Sequence, residues 1–361
     1  VILDTTLREG LQRVGVYLDL AGRIEVARAL LQAGIPELEI GVVGRDGTVP
    51  ALLEALRHEF PQARLWVWAR MRREDVEAAA RMGATHVALC APTSEKHLDV
   101  RMGMTASELP DLVTNVVSHA RALGLEVSMG MEDASRATRE DLWLAAQAAR
   151  RAGARRVRLA DTVGVLAPNE VAELVLFLRQ TGLEVGFHGH DDFGMATANA
   201  LAALDAGAVA VDTTLLGAGE RAGIAATERL GAYLSVRRGA AFDLRALSHA
   251  AHEFADAAKV AIPPHAPVVG SRIFACETGL HVAALSKVPD LYEPFSPEAV
   301  GAERDLRVGA KSGIAAIGQI LSNLGSDRPV TEDLVRQVRS TSELLGRPLE
   351  RGELMTLVQV A

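Results

Sequence analysis

Gly182-Leu183-Glu184-Val185-Gly186-Phe187-His188-Gly189-His190-Asp191-Asp192 joins three signals in one short stretch. Gly182 reads as the cap that ends a helix, Val185-Gly186-Phe187 as a short buried strand, and the strand then runs out into imidazoles and carboxylates. His188 and His190 stand two residues apart on extended backbone, so their rings point to the same side and can share one divalent cation. A carboxylate to complete such a site is available near the other end of the chain, in Asp4-Thr5-Thr6-Leu7-Arg8-Glu9-Gly10-Leu11-Gln12. Two same-face imidazoles cost desolvation unless a metal or hydrogen bonds satisfy them, so the pair points to a metal-dependent enzyme.

The glycine-then-strand arrangement recurs along the chain. Gly34 precedes Leu38-Glu39-Ile40, Gly83 precedes His86-Val87-Ala88-Leu89, Gly124 precedes Val127-Ser128-Met129, Gly153 precedes Arg156-Val157-Arg158-Leu159 and Gly207 precedes Val209-Ala210-Val211-Asp212. With Ile2-Leu3-Asp4 and Leu65-Trp66-Val67-Trp68 these make eight candidate strands, each followed by an amphipathic Ala-, Leu- and Arg-rich stretch. The expected fold is α/β, a (β/α)8 barrel of the TIM type over residues 1–240. The alternative, an open doubly wound sheet, lacks its glycine fingerprint, because Gly41-Val42-Val43-Gly44 has neither the spacing nor the acidic partner. The rhythm stops after Leu230, and residues 241–361 read as a small, mostly helical C-terminal module. Pro263-Pro264 and Pro267 interrupt it, and helices are expected over Ser312 to Leu324 and Thr331 to Leu345.

Composition narrows the function classes. The 361 residues are 49% hydrophobic and 23% charged, enough to bury a large core with little disorder. The net charge of −8 and the scattered basic residues argue against a nucleic-acid surface. No signal peptide and no apolar run of about 18 residues is visible, so no membrane partner is expected, although the chain begins abruptly inside an apparent strand. Two cysteines, Cys90 and Cys276, cannot build a disulfide framework, and a cytoplasmic setting is the simplest expectation. Cys90 lacks a nearby basic signature and reads as buried filler rather than a nucleophile, while Trp66 and Trp68 read as packing around the barrel.

In such a barrel the carboxyl ends of the strands face one mouth, where residues far apart in sequence converge. Those ends carry Arg8, Glu9 and Gln12, then Glu39, Arg70, Glu132 with Arg136, Asp161 with Thr162, His188 with His190, and Thr213 with Glu220. Cations, carboxylates and imidazoles gathered at one mouth are more than scaffold, and the partners expected of this chain are small molecules.

Four segments carry a family resemblance: Asp4 to Gln12, Asp161-Thr162-Val163-Gly164, Gly186 to Gly194, and Gly217-Ala218-Gly219-Glu220-Arg221-Ala222-Gly223. Together they resemble the metal-dependent aldol-type acyltransferases and lyases on a TIM barrel, which include homocitrate, isopropylmalate and citramalate synthases and hydroxymethylglutaryl-CoA lyase. Glu277-Thr278-Gly279-Leu280-His281 and Tyr292-Glu293-Pro294-Phe295 resemble the C-terminal segments of the synthases. Val127 to Arg136, Asp192 to Asn199 and the short tail are most similar to homocitrate synthases associated with nitrogenase cofactor assembly, that is, with nitrogen fixation.

The resemblance implies the following roles. Glu9, His188 and His190 hold one divalent metal (Mg, Mn or Zn) that chelates a 2-oxo acid. Arg8 stabilises the developing alkoxide; Gln12, Glu39 and His97 line the substrate site; Thr162 binds the oxo-acid carboxylate; Arg70 and Arg136 are candidates for a distal carboxylate. The cosubstrate is acetyl-CoA, with His281 as the base for its methyl group and Glu132 assisting at the enolate. A homodimer in which the C-terminal module is exchanged delivers His281 to the partner's mouth.

The expected activity is homocitrate synthase, condensing acetyl-CoA with 2-oxoglutarate and then hydrolysing the thioester. Alternatives are another 2-oxo acid (isopropylmalate, citramalate or phosphonate-analogue type), a lyase running towards cleavage, or a non-catalytic member. A lyase has no use for His281 delivered over the mouth, so the tail favours synthesis. Four positions depart from the pattern: Ile224 where many relatives have Asn, Cys276 for His, Lys311 for His, and Leu11 for Glu.

Overall fold

The computed structural model describes residues 1–44, 47–285 and 288–360. The chain divides into two compact units, Val1–Ile262 and Pro263–Ala361. In the first, eight strands form a closed barrel in chain order: β1 (Ile2–Asp4), β2 (Glu37–Val42), β3 (Arg64–Arg70), β4 (His86–Pro92), β5 (Glu126–Glu132), β6 (Arg156–Asp161), β7 (Glu184–Gly189) and β8 (Ala210–Thr213). Every pairing is parallel, and the seam is closed by β1 on β8 with Ile2 opposite Val211 and Asp4 opposite Thr213. The eight-strand reading therefore holds at each strand.

The cap glycines explain the rhythm. Gly34, Gly83, Gly124, Gly153, Gly182 and Gly207 all take φ between +80° and +94°, the left-handed region that ends a helix without Cβ strain. At Gly34 the bonding is a Schellman motif: Gly34 N donates to Leu31 O at 3.1 Å and Ile35 N to Leu30 O at 3.1 Å. Helix after helix is stopped this way, and the chain is turned back into the next strand.

The barrel interior is polar. Glu37 on β2 accepts from Arg156 on β6 at 3.0 Å, and Glu39 accepts from Arg158 at 2.8 Å. Strands β2 and β6 are not neighbours in the sheet, so these bonds must cross the inside of the barrel. Arg64 and the Trp66 indole also donate to Glu37, at 2.5 and 2.9 Å, making a lower storey of charge. The residues between them, Leu38, Ile40, Leu65, Val67, Val157 and Leu159, are buried on the opposite face of each strand. The usual arrangement is inverted: apolar side chains pack outward against the helices and ion pairs fill the core.

The first unit extends past residue 240, because the helix Leu244–Ala258 packs against the helix Leu20–Gln32 of the barrel. The second unit carries a two-stranded parallel sheet (Ala275–Cys276 and Asp305–Leu306) and four helices among the described residues. Two of these, Ile314–Asn323 and Glu332–Leu345, were expected from sequence, and Thr331 caps the second by accepting from Leu334 N. The helix Arg351–Val360 was not anticipated. Val282, Val308, Ile317, Leu321, Val338 and Leu354 belong to this unit's own apolar core.

One buried acid ties the fold to pH. Glu228 accepts from the backbone of Leu216, itself at φ +58°, and burial pushes its carboxyl up to about 7. An unfolded glutamate titrates near 4.5, so between 4.5 and about 7 the folded state keeps a proton that the unfolded chain has released. Stability therefore falls as pH rises through that window and is level above it. Asp4, raised by burial to about 6, adds a change of the same sign. E228Q keeps the acceptor and removes the ionisation, so urea midpoints taken from pH 4.5 to 7.5 should decline less steeply than in the parent. Equal slopes in the two proteins would assign the titration to another group.

Candidate metal centre at the barrel mouth

The backbone after β1 turns sharply on Thr5, whose carbonyl accepts from the amides of Arg8, Glu9 and Gly10. The turn carries Arg8 and Glu9 over the mouth. His188 is the penultimate residue of β7, and His190 N donates to Asp161 O at 3.3 Å, which fixes the chain as it leaves the strand. The two Nε2 atoms lie 3.4 Å apart with the rings nearly perpendicular. One carboxylate oxygen of Glu9 joins them, all three donor atoms lying within 4.8 Å of one another and all three residues buried.

Protonation suits a cation. His188 lies far below the ordinary imidazole range, chiefly through burial and then through His190 beside it, and burial lowers His190 as well. Both rings are therefore neutral near pH 7. Burial pushes the Glu9 carboxyl up, but Arg8 and the imidazoles outweigh it and hold the acid below its usual value. His188 Nδ1 is 2.9 Å from Asp212 Oδ2, an arrangement in which Nδ1 donates and leaves the Nε2 lone pair facing Glu9 and His190. One anionic oxygen and two neutral nitrogens, buried and convergent, fit a divalent metal of the Mg, Mn or Zn group.

Arg8 bridges the centre to the core. Its Nη1 donates to Glu9, and its Nε donates to Glu39 Oε1 at 2.5 Å. Glu39 is also held by Arg158, whose Nη1 donates to Asp212 Oδ2 at 2.9 Å. A continuous chain of buried charge thus runs from Glu9 through Arg8, Glu39, Arg158 and Asp212 to His188.

Above the centre opens a cavity of about 510 Å³. Arg8, Glu9, Gln12, His188 and His190 line it, with Arg70, Glu132 and Thr162 of the other expected residues. Glu39 lies beneath, acting through Arg8. His97 and Arg136 stand behind Glu132: His97 Nδ1 is 3.7 Å from Glu132, and Arg136 Nε donates to Asp133 at 2.8 Å. Thr162 Oγ1 accepts from Asp133 N at 2.8 Å. Arg70 is already engaged by a bidentate pair to Asp75, both bonds 2.8 Å. His281 belongs to the second unit, where its ring stacks on Tyr292 at 4.1 Å.

Some contributions escaped the sequence reading. Arg101, which donates to Glu132, and Arg158 both line the cavity, and Asp212 holds His188. The alternation Arg156-Val157-Arg158 carries the signal of two cations on one strand face, whereas Arg101 stands on a helix with no pattern to single it out. Trp68 and Cys90 line the cavity rather than only packing the scaffold. Burial pushes the Cys90 thiol up to about 12, in keeping with an inert side chain. Ile224 is buried and forms an antiparallel bridge with His190, so it reaches the centre through backbone.

Comparison with known proteins places these features in context. A family model described as HMGL-like matches residues 1–260, and one described as homocitrate synthase post-HMGL domain-like matches residues 268–344. The 2-isopropylmalate synthase 2 of Caldanaerobacter subterraneus subsp. tengcongensis is 36% identical over 99% of this chain and 94% of its own. The homocitrate synthase 1 of Nostoc sp. is also 36% identical, over 99% of this chain and 97% of its own. Among solved structures, the HMG-CoA lyase of Bacillus subtilis superposes with a TM-score of 0.64 at 21% identity, covering 74% of this chain and 96% of that one, a likeness of fold.

The contact between Asp212 and His188 generates a direct test. In D212N the acceptor for His188 Nδ1–H is weakened, and metal affinity measured by calorimetric titration should fall about 10–100-fold with the fold retained by circular dichroism. Unchanged affinity would mean that another group orients the ring.

Proposed function

The chain is an enzyme of the HMGL-like family, and from that premise we propose that it condenses acetyl-CoA with a 2-oxo acid and hydrolyses the resulting thioester. The observation that carries the reading is the convergence of Glu9, His188 and His190 beside Arg8 at the floor of an open, polar cavity. A bound divalent metal supplies Lewis-acid polarisation of the C2 carbonyl. The remaining steps belong to this chain's own side chains.

Arg8, held in orientation by Glu39, faces the oxygen on which negative charge develops, and its guanidinium is in place before the reaction begins. Thr162 is assigned to the acid's C1 carboxylate. The methyl group of acetyl-CoA loses a proton to His281, and the enolate carbon then bonds to C2. Glu132, which accepts from Arg101, assists at the enolate. Water cleaves the thioester, releasing CoA as the free thiol and leaving a new carboxylate. Gln12, His97, Arg70 and Arg136 are assigned to substrate binding, the last two after exchanging their present aspartate partners. In a homodimer with exchanged C-terminal modules, His281 serves the partner's cavity.

For the acceptor, the finer reading is 2-oxoglutarate, which makes the product homocitrate. The resemblance of residues 127–136 and 192–199 to the nitrogenase-associated synthases supports it. A relative named for isopropylmalate stands at the same identity as one named for homocitrate, so overall similarity gives equal support to a different 2-oxo acid.

Free-thiol release from acetyl-CoA should appear with at least one acid in a panel of 2-oxoglutarate, 2-oxoisovalerate, pyruvate and phosphonopyruvate, and should vanish in H188A together with the bound metal. No thiol release with any of them, from metal-loaded protein, would sink the synthase reading. H281A should keep metal and 2-oxo-acid binding and lose most of its rate. Mixing H188A with H281A protomers should restore activity if the site is shared, and failure to do so counts against module exchange.

A further inference from the structure

Resting on the 2-oxo-acid reading, we propose that Cys90, Gly130 and Ala160 form a slot in the cavity floor, with Arg158 at its base, which takes the distal anionic group of the acceptor and sets its length. The chemistry it recognises is a carboxylate or phosphonate carried on a short unbranched chain.

The slot follows from register. Cys90 on β4 lies opposite Gly130 on β5, and Gly130 lies opposite Arg158 on β6. Ala160 stands two residues beyond Arg158 on the same strand, hence on the same face and nearer the mouth. On the other side Arg158 is opposite Gly186 of β7. Backbone register therefore puts a glycine beside Arg158 on both neighbouring strands and Ala160 two residues above it on its own. This is why Arg158 lines the cavity although the residue is only 4% exposed.

Arg158 has donors to spare. Its Nη1 is committed to Glu39 and Asp212, while Nε and Nη2 have no hydrogen-bonding partner among the described residues. These N–H groups open onto the cavity, and a carboxylate or phosphonate entering the slot meets them with charge-assisted bonds. A branched alkyl group would cover those N–H groups without satisfying them, which disfavours it at the same position. Arg70 and Arg136, already paired with Asp75 and Asp133, lack this free edge.

Gly130 supplies space rather than backbone freedom. Its φ is not among the positive values, so an alanine could adopt this conformation. A Cβ there would stand 3.1 Å from Cys90 Sγ and 3.4 Å from Leu89 O, so the added methyl either fills the slot or drives Cys90 into it.

The test compares G130A with the parent on the same acceptor panel, using metal-loaded protein. The ratio of kcat/KM for 2-oxoglutarate to that for pyruvate should be high in the parent and fall about tenfold or more in G130A. Phosphonopyruvate distinguishes a phosphonate acceptor from a carboxylate one. An unchanged ratio, or a parent that prefers 2-oxoisovalerate, overturns the slot. Calorimetric titration of 2-oxoglutarate without acetyl-CoA separates the slot from the synthase reading. Gly130-dependent binding in a protein that releases no thiol would keep the slot and remove the condensation, whereas thiol release with Gly130-independent binding would do the reverse. In R158K the point charge is kept and the fork lost, so 2-oxoglutarate should bind more weakly than in the parent, and equal affinity counts against Arg158.

Discussion

Salt bridges that cross the barrel interior are the constraint on which the rest of the molecule depends. A guanidinium taken out of water is tolerable only when opposite charge meets it with good geometry, and Arg158 finds that charge on β2 and β8 rather than on the strands beside it. The requirement fixes which strand faces look inward, and it positions the side chains above. Glu39 can orient Arg8 because Arg158 holds Glu39, and Asp212 can orient His188 while also sharing Arg158. The candidate metal ligands and the cavity-lining Arg158 thereby become two ends of one buried network, in which removing any single charge strands its neighbours.

This interior also separates roles by depth. The lower storey of Glu37, Arg64, Trp66 and Arg156 is remote from the cavity and serves as a plug. The upper storey opens onto the mouth, where Gly130 and Ala160 line the cavity with little side chain to fill it. Small residues on strands are weak for packing, and here that weakness becomes open cavity.

Legibility in the sequence followed the range of the interactions. The strands could be read because each is announced by a local event, a glycine at a helix end followed by a short apolar run. The metal centre could be read because His188 and His190 share a strand and a two-residue period, and because Arg8-Glu9 closes β1 at the same end of the barrel. The charge network could not, since nothing near Arg158 reveals that its partners lie 119 residues earlier and 54 later. Arg70 and Arg136 looked free for the same reason, their aspartate partners being recognisable only once the loops are folded. The helix Leu244–Ala258 shows the limit for domain edges: the βα rhythm ends before it, yet its packing belongs with the barrel.

The seam between β1 and β8 has a consequence for how the molecule is made. Ile2 pairs with Val211, so the first strand waits through the synthesis of nearly the whole unit before its second edge is covered. Closing so large a loop contributes a slow, non-local step, and until then β1 offers unpaired amides and carbonyls to any other chain nearby. Arg8 and Glu9 thus leave the ribosome well before their histidine partners and meet them only when the ring is nearly complete.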